Sequence, residues 1–163
     1  MVYSKAQYLG AVVRLALGFV FLWAFFDKVF GWGYATPAGK AWIDGVSPTV
    51  GFLKVATYGP LSSWYHALAG SVFVDWLFMI GLLGVGLALM LGVGLRIAGI
   101  SGAVLLLLMY GALLPPKNNP MIDDHIIYAL ILILGTMLPV GYPLGLGKWW
   151  GKTKLVQKFP FLS

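Results

Sequence analysis

The chain has 163 residues, of which 60% are hydrophobic and only 10% charged, against the roughly 25% charged of a soluble domain, so a soluble fold is set aside for an integral membrane one. It has no Cys, which excludes thiol catalysis, disulfides, cysteine-held iron–sulfur clusters and c-type haem attachment. A net charge of +6 would suggest nucleic acid in a soluble protein, but here the charges follow the two sides of a membrane, and no nucleic-acid partner is expected.

The sequence predicts an all-α fold. It is a single integral membrane domain over 1–163, an antiparallel bundle of four transmembrane helices at about 8–30, 68–92, 97–115 and 122–142. A crossing needs ~20 apolar residues, and each of these runs approaches or exceeds that length. Arg14 interrupts the first run near its start, and Asp27-Lys28 stand where a signal peptide would need small cleavage residues. The first helix is therefore read as uncleaved. Arg14 is expected to snorkel to the headgroups or to pair within the bundle.

Residues 31–67 form a long outer segment, too long to be a plain connection and expected to be partly helical. Ser47-Pro48 reads as an N-cap followed by Pro at the first helical position of an apolar stretch at 49–56. That stretch suits a helix lying in the membrane interface. Gly59-Pro60 ends it, and Ser62 or Ser63 caps a long helix expected to run on into the second span. The glycines of spans two and three suit close helix packing in lipid. Pro115-Pro116-Lys117-Asn118-Asn119-Pro120 makes a stiff second outer connection. Asp123-Asp124-His125 opens the fourth helix, where acids suit the positive end of the dipole. Pro139 and Pro143 kink or end that helix. The basic tail, 146–163, carries the Trp149-Trp150 pair of a membrane-surface anchor.

Four crossings put both termini on one side, together with Lys5, Arg14, Arg96, Lys148, Lys152, Lys154 and Lys158. The opposite side receives Lys28, Lys40, Lys54, Lys117 and all five acids: Asp27, Asp44, Asp75, Asp123 and Asp124. There is no Glu. The excess of Lys and Arg makes the terminal side cytoplasmic, so the expected location is the cell membrane with N- and C-termini inside.

The acids thus gather at the outer helix ends. Asp27, Asp75, Asp124, His125 and Tyr128 are proposed to line one pocket there, roofed by the outer segment with Trp42, Trp64 and Tyr65. Lys28 is the expected counter-charge to one Asp. Tyr128 follows Asp124 by four residues and His125 by three, so all three share a helix face. An imidazole, a carboxylate and a phenol suit a quinone head group, whose two carbonyls need donors and whose reduction needs protons. Helix capping is the competing account of Asp123 or Asp124. A haem between His66 and His125, or a metal held by the Asp and His cluster, finds no supporting spacing.

Several of these segments resemble the DoxX/DoxD family. In the first helix they are Arg14-Leu15-Ala16-Leu17-Gly18, Phe21-Leu22 and Asp27-Lys28-Val29-Phe30-Gly31. Later come Gly94-Leu95-Arg96, Asn119-Pro120, Asp124-His125-Ile126 and Ala129-Leu130, so that the resemblance covers roughly 8–145. The outer stretch Thr36-Pro37-Ala38-Gly39-Lys40-Ala41-Trp42 resembles a subgroup of archaea and actinobacteria. The resemblance implies a small quinone-facing membrane subunit, as in thiosulfate:quinone oxidoreductase, working beside a protein partner or as a homo-oligomer. It carries no catalytic residue onto this chain. Two other functions compete: a non-catalytic assembly subunit of a membrane complex, and a small-solute carrier. The carrier is disfavoured because spans two to four hold no charge near their middle, where transporter sites lie.

Overall fold

The computed structural model describes residues 3–138 and 143–162. The expected end of the fourth span, with Pro139, lies outside the described residues, as do Met1, Val2 and Ser163. Helices make up 69% of the structure, and the described residues contain no strand.

Helix α1 runs Lys5–Phe30. At ~1.5 Å per residue its 26 residues span about 39 Å. Ser4 caps its start by accepting from the Gln7 amide while the Gln7 side chain returns to the Ser4 amide. Gly31 ends it in the left-handed region, φ 64°, with its amide donating to the Asp27 carbonyl. Helix α2 is short, Ser62–Leu68. The long apolar helices α3, Val72–Leu91, and α4, Leu95–Ala112, follow. Helices α1, α3 and α4 are long and apolar enough to cross a membrane. Helix α5, Asp124–Met137, is apolar but has only 14 residues. Two short helices close the chain, α6 at Gly147–Trp150 and α7 at Lys154–Lys158.

The predicted continuous helix from Ser62 into the second span is broken. Ala69 leaves the helical region and Gly70 takes φ 83°, so α2 and α3 are separate. The predicted interface stretch at 49–56 is present in a widened form. Ser47 Oγ accepts from the Val50 amide as a cap, and Phe52–Ala56 forms a π-turn closed by the Thr57 amide on the Phe52 carbonyl.

Helix α1 packs on α3, α3 on α4, and α4 on α5. Small residues set these approaches. A Cβ on Gly86 would lie 2.7 Å from Leu22, and one on Gly99 would lie 2.9 Å from the Leu132 carbonyl oxygen. The core between the helices is Leu17, Phe21, Met79, Leu82, Val85, Leu89, Ala103, Leu106, Ala129 and Leu132. The remaining Leu, Ile, Val and Phe residues face outward in large number, as lipid-facing helices require.

Candidate functional site

The outer segment is tied down at four places, and two of the sequence-predicted site residues do the tying. Asp27 is 1% exposed. Its carboxylate accepts from the Tyr34 amide at 3.2 Å and the Thr36 amide at 2.8 Å, which folds the chain back over the end of α1. Asp75, 6% exposed, accepts from Ser47 Oγ at 2.8 Å and from Thr49 Oγ1. It anchors the interface turn to the top of α3. The Tyr58 amide donates to the Ala112 carbonyl. The Tyr65 hydroxyl donates to the Leu108 carbonyl at 2.6 Å, and burial pushes that phenol's pKa up, keeping it a donor.

The other predicted residues lie at the start of α5. Asp123 is its N-cap, with Oδ1 accepting from the Ile126 amide and Oδ2 lying 2.8 Å from His125 Nδ1. Asp124 is exposed, 3.5 Å from the same nitrogen. Tyr128 packs against the core. One potential ligand atom from each of Asp123, Asp124 and His125 lies within 4.8 Å of the others, so these three could hold a cation. Both oxygens of Asp123 are already engaged. The hydrogen bonds of Asp27 and Asp75 run to the outer segment rather than to this cluster. His66, the other histidine considered for haem, is exposed on α2.

A cavity of about 440 Å³ opens beneath the outer segment between α3 and α4. Its wall is apolar, built from Phe52, Leu53, Trp64, Leu68, Leu77, Phe78, Leu105 and Leu108, among others. Lys28, Thr49, Tyr65 and Ser101 supply the polar side chains. Asp75 reaches this wall through Thr49. Asp27, Asp124, His125 and Tyr128 are not part of it. Trp64 and Tyr65, predicted as cover, do line it, stacked edge to face at 4.7 Å. Trp42 covers α3 instead, against Trp76 at 4.8 Å.

Lys28 is the residue that the sequence reading cast only as a counter-charge. The ion pairs among the described residues are those of His125 with Asp123 and Asp124, so Lys28 makes none. Its ammonium instead lies 5.8 Å from the centre of the Phe78 ring. The carboxylate whose charge acts on it is that of Asp27, its neighbour in sequence, so the expected counter-charge relation is present without a direct ion pair. In comparisons with family models, curated proteins and solved structures, none matches the chain.

Proposed function

We propose that this chain is a small multi-pass membrane subunit of the DoxX/DoxD type, with four crossings and both termini in the cytoplasm, that binds a membrane quinone beneath its outer segment. The observation that carries the reading is Lys28: a half-buried cation in the wall of a mostly apolar cavity, in the field of Asp27 but with no carboxylate oxygen at ion-pair distance among the described residues. A volume near 440 Å³, mostly apolar with a few convergent polar groups, has the character of a small-molecule site. The ammonium would donate to one quinone carbonyl. Thr49 Oγ1 gives its proton to Asp75 and Ser101 Oγ gives its proton to the Ile97 carbonyl, so in this wall both oxygens are acceptors, suited to a quinol hydroxyl rather than to a quinone carbonyl. The isoprenoid tail would leave along the apolar faces of α3 and α4. Reduction to quinol takes two electrons and two protons. The electrons would come from a partner subunit, since this chain has no Cys to supply a thiol or hold an iron–sulfur cluster.

The test is a titration of the purified chain with a short-tailed quinone, read by quenching of tryptophan fluorescence. Trp64 lines the cavity and should report directly. Lys28→Met should weaken binding roughly tenfold, the size of one lost hydrogen bond to a charged group. Asp124→Asn should leave it unchanged. Equal affinity in Lys28→Met and the wild-type protein would remove the quinone reading.

One set of observations favours an assembly role instead. Asp27 and Asp75 use their carboxylates to hold the outer segment. Trp23, Phe26, Phe30, Trp32 and Tyr34 form a contacting aromatic layer at the outer end of α1. Such a layer suits an interface with headgroups or with a second subunit. A chain that binds no quinone but co-purifies with a partner would fit this second reading.

A further inference from the structure

Arg14 is 4% exposed, in the half of α1 away from every acid. Nη1 donates to the Leu89 and Met90 carbonyls, and Nη2 to Leu144 at 2.9 Å and Pro143 at 3.4 Å. Leu89 and Met90 end α3, where carbonyls lack helical partners and the dipole is negative. The guanidinium therefore staples α1 to the end of α3. That accounts for Nη1 and Nη2 but not for Nε, which is buried and donates to no acceptor among the described residues.

Nor does it account for the charge. Asp27 lies 13 residues along the same helix, and Asp75 a similar distance from Leu89 along α3, so each is about 20 Å away. Asp123 and Asp124 are at the far end of α5, ten or more residues and about 15 Å from its last turn. Asp44 is exposed in the outer segment, and there is no Glu. No side-chain carboxylate of this chain reaches Arg14. A buried cation balanced only by neutral dipoles is costly.

Beside it lies a second cavity, of about 380 Å³. Among the described residues Arg14 contributes the one polar side chain of its wall, and the rest is aliphatic: Leu17, Leu89, Leu95, Leu132 and their neighbours. Leu9, Leu134 and Leu138 form part of the wall and are themselves exposed, so the cavity opens on the face that apolar helices turn to lipid. Lys5, Arg96, Lys148, Lys152, Lys154 and Lys158 stand on this side of the chain, with no acid among them. Such a surface gathers anionic lipid.

We propose that this cavity holds one anionic phospholipid, its phosphate facing the positive charge of the Arg14 guanidinium and an acyl chain lying among the leucines. The ligand neutralises the buried charge. The site is separate from the cavity under the outer segment, and it stands or falls independently of quinone binding, needing only that the chain sits in a bilayer.

The experiment uses the full chain in nanodiscs and in detergent. Phosphatidylglycerol, phosphatidylcholine, a free fatty acid and inorganic phosphate are each titrated, with thermal unfolding and native mass spectrometry as readouts. The expected result is saturable retention of one phosphatidylglycerol per chain and a raised melting temperature. Phosphatidylcholine, the fatty acid and phosphate alone should each do markedly less. Arg14→Gln should weaken the retained lipid by roughly tenfold or more, as loss of a buried charge partner does. Because that variant also loses part of the staple, Gly135→Leu is the decisive one. Gly135 lines the cavity, and a Cβ there meets nothing within 4 Å. The new side chain fills the acyl space in a helix that favours Leu over Gly by roughly 1 kcal/mol, so the protein should fold at least as well and retain no lipid. Undiminished retention in Gly135→Leu, equal binding of phosphatidylcholine, or the full effect from inorganic phosphate alone would each overturn the proposal.

Discussion

Asp75 ties the top of α3 to the outer segment, and its removal gives the most direct measure of how that segment is held. In Asp75→Ala, two hydrogen bonds to a charged acceptor vanish, those from Ser47 and Thr49. Each is worth about 1.5–3 kcal/mol. Ser47 is half-buried and can turn to water, so most of its share is recovered. Thr49 is buried, and its hydroxyl loses its partner without gaining solvent. The expected net loss is therefore about 2–3 kcal/mol. Referred to local opening of the segment, that is roughly a 30- to 140-fold rise in the open population. Lys54 lies in the π-turn that this anchor holds, exposed but within hydrogen-bonded structure. Tryptic cleavage after Lys54 should accelerate by about that factor when opening is fast relative to cleavage. Cleavage after Lys40, in the preceding loop, should change little and serves as the internal control. Asp75→Asn keeps a neutral acceptor and should fall between the two. Wild-type cleavage and melting in Asp75→Ala would refute the claim that this carboxylate pins the roof of the cavity.

The helix contact at Gly99 offers a second test. A Cβ there would lie 2.4 Å from Thr136 Cγ2, so Gly99→Ala should cost about 1–3 kcal/mol in reversible unfolding, and an unchanged protein would mean α4 and α5 do not approach this closely. Gly59 combines φ 82° with a Cβ position 1.7 Å from the Leu114 carbonyl oxygen; Gly59→Ala should displace the outer segment, visible as tryptic sensitivity and loss of the Tyr58–Ala112 amide protection. At the start of α5, Asp123→Ala should lower stability by about 1 kcal/mol through the lost cap, and the exposed Asp124→Ala by less than about half of that; equal effects would contradict the assignment of Asp123 as the cap. Seven basic residues and no acid on the terminal side predict that a reporter inserted near Gly45 is external and one fused at the C-terminus is cytoplasmic, and the opposite pattern would invert the orientation.

What the sequence made legible was local and periodic. The apolar runs of α1, α3 and α4 stand out by length, and caps such as Ser47 and Asp123 by residue type and position. The break between α2 and α3 was missed because Gly70 was absorbed into a long apolar pattern, although Gly70-Ser71 is also a stop followed by a start. The partners of Asp27 and Asp75 were harder still. Thr36 lies nine residues from Asp27, and Thr49 lies 26 residues from Asp75 across a loop whose path no periodicity encodes. A carboxylate that hydrogen-bonds backbone amides looks, in sequence, the same as one that meets a ligand. Arg14 was placed within a choice between snorkelling and pairing; the structure takes the inward option, on carbonyls rather than on an acid. The cavities could not be read at all, since each is a gap left by packing.

The two cavities also bear on whether the chain is a conduit. Among the described residues they share no wall residue. Between their levels lies the tightest part of the core, where Met79 is 1% exposed and Leu82, Val85 and Leu106 are buried around it. Gly102 lets Leu132 and Val85 close on α4 from two sides, with a Cβ position 2.9 and 3.0 Å from them. The side chains that close this layer are apolar, and opening it would separate helices whose contacts depend on glycine-scale spacing. The polar groups are instead sorted by end, carboxylates and Lys28 at one and Arg14 at the other, with a dry seal between them. That arrangement argues against a carrier with a midplane site. It suits a chain that holds one amphiphile at each surface while its middle stays shut.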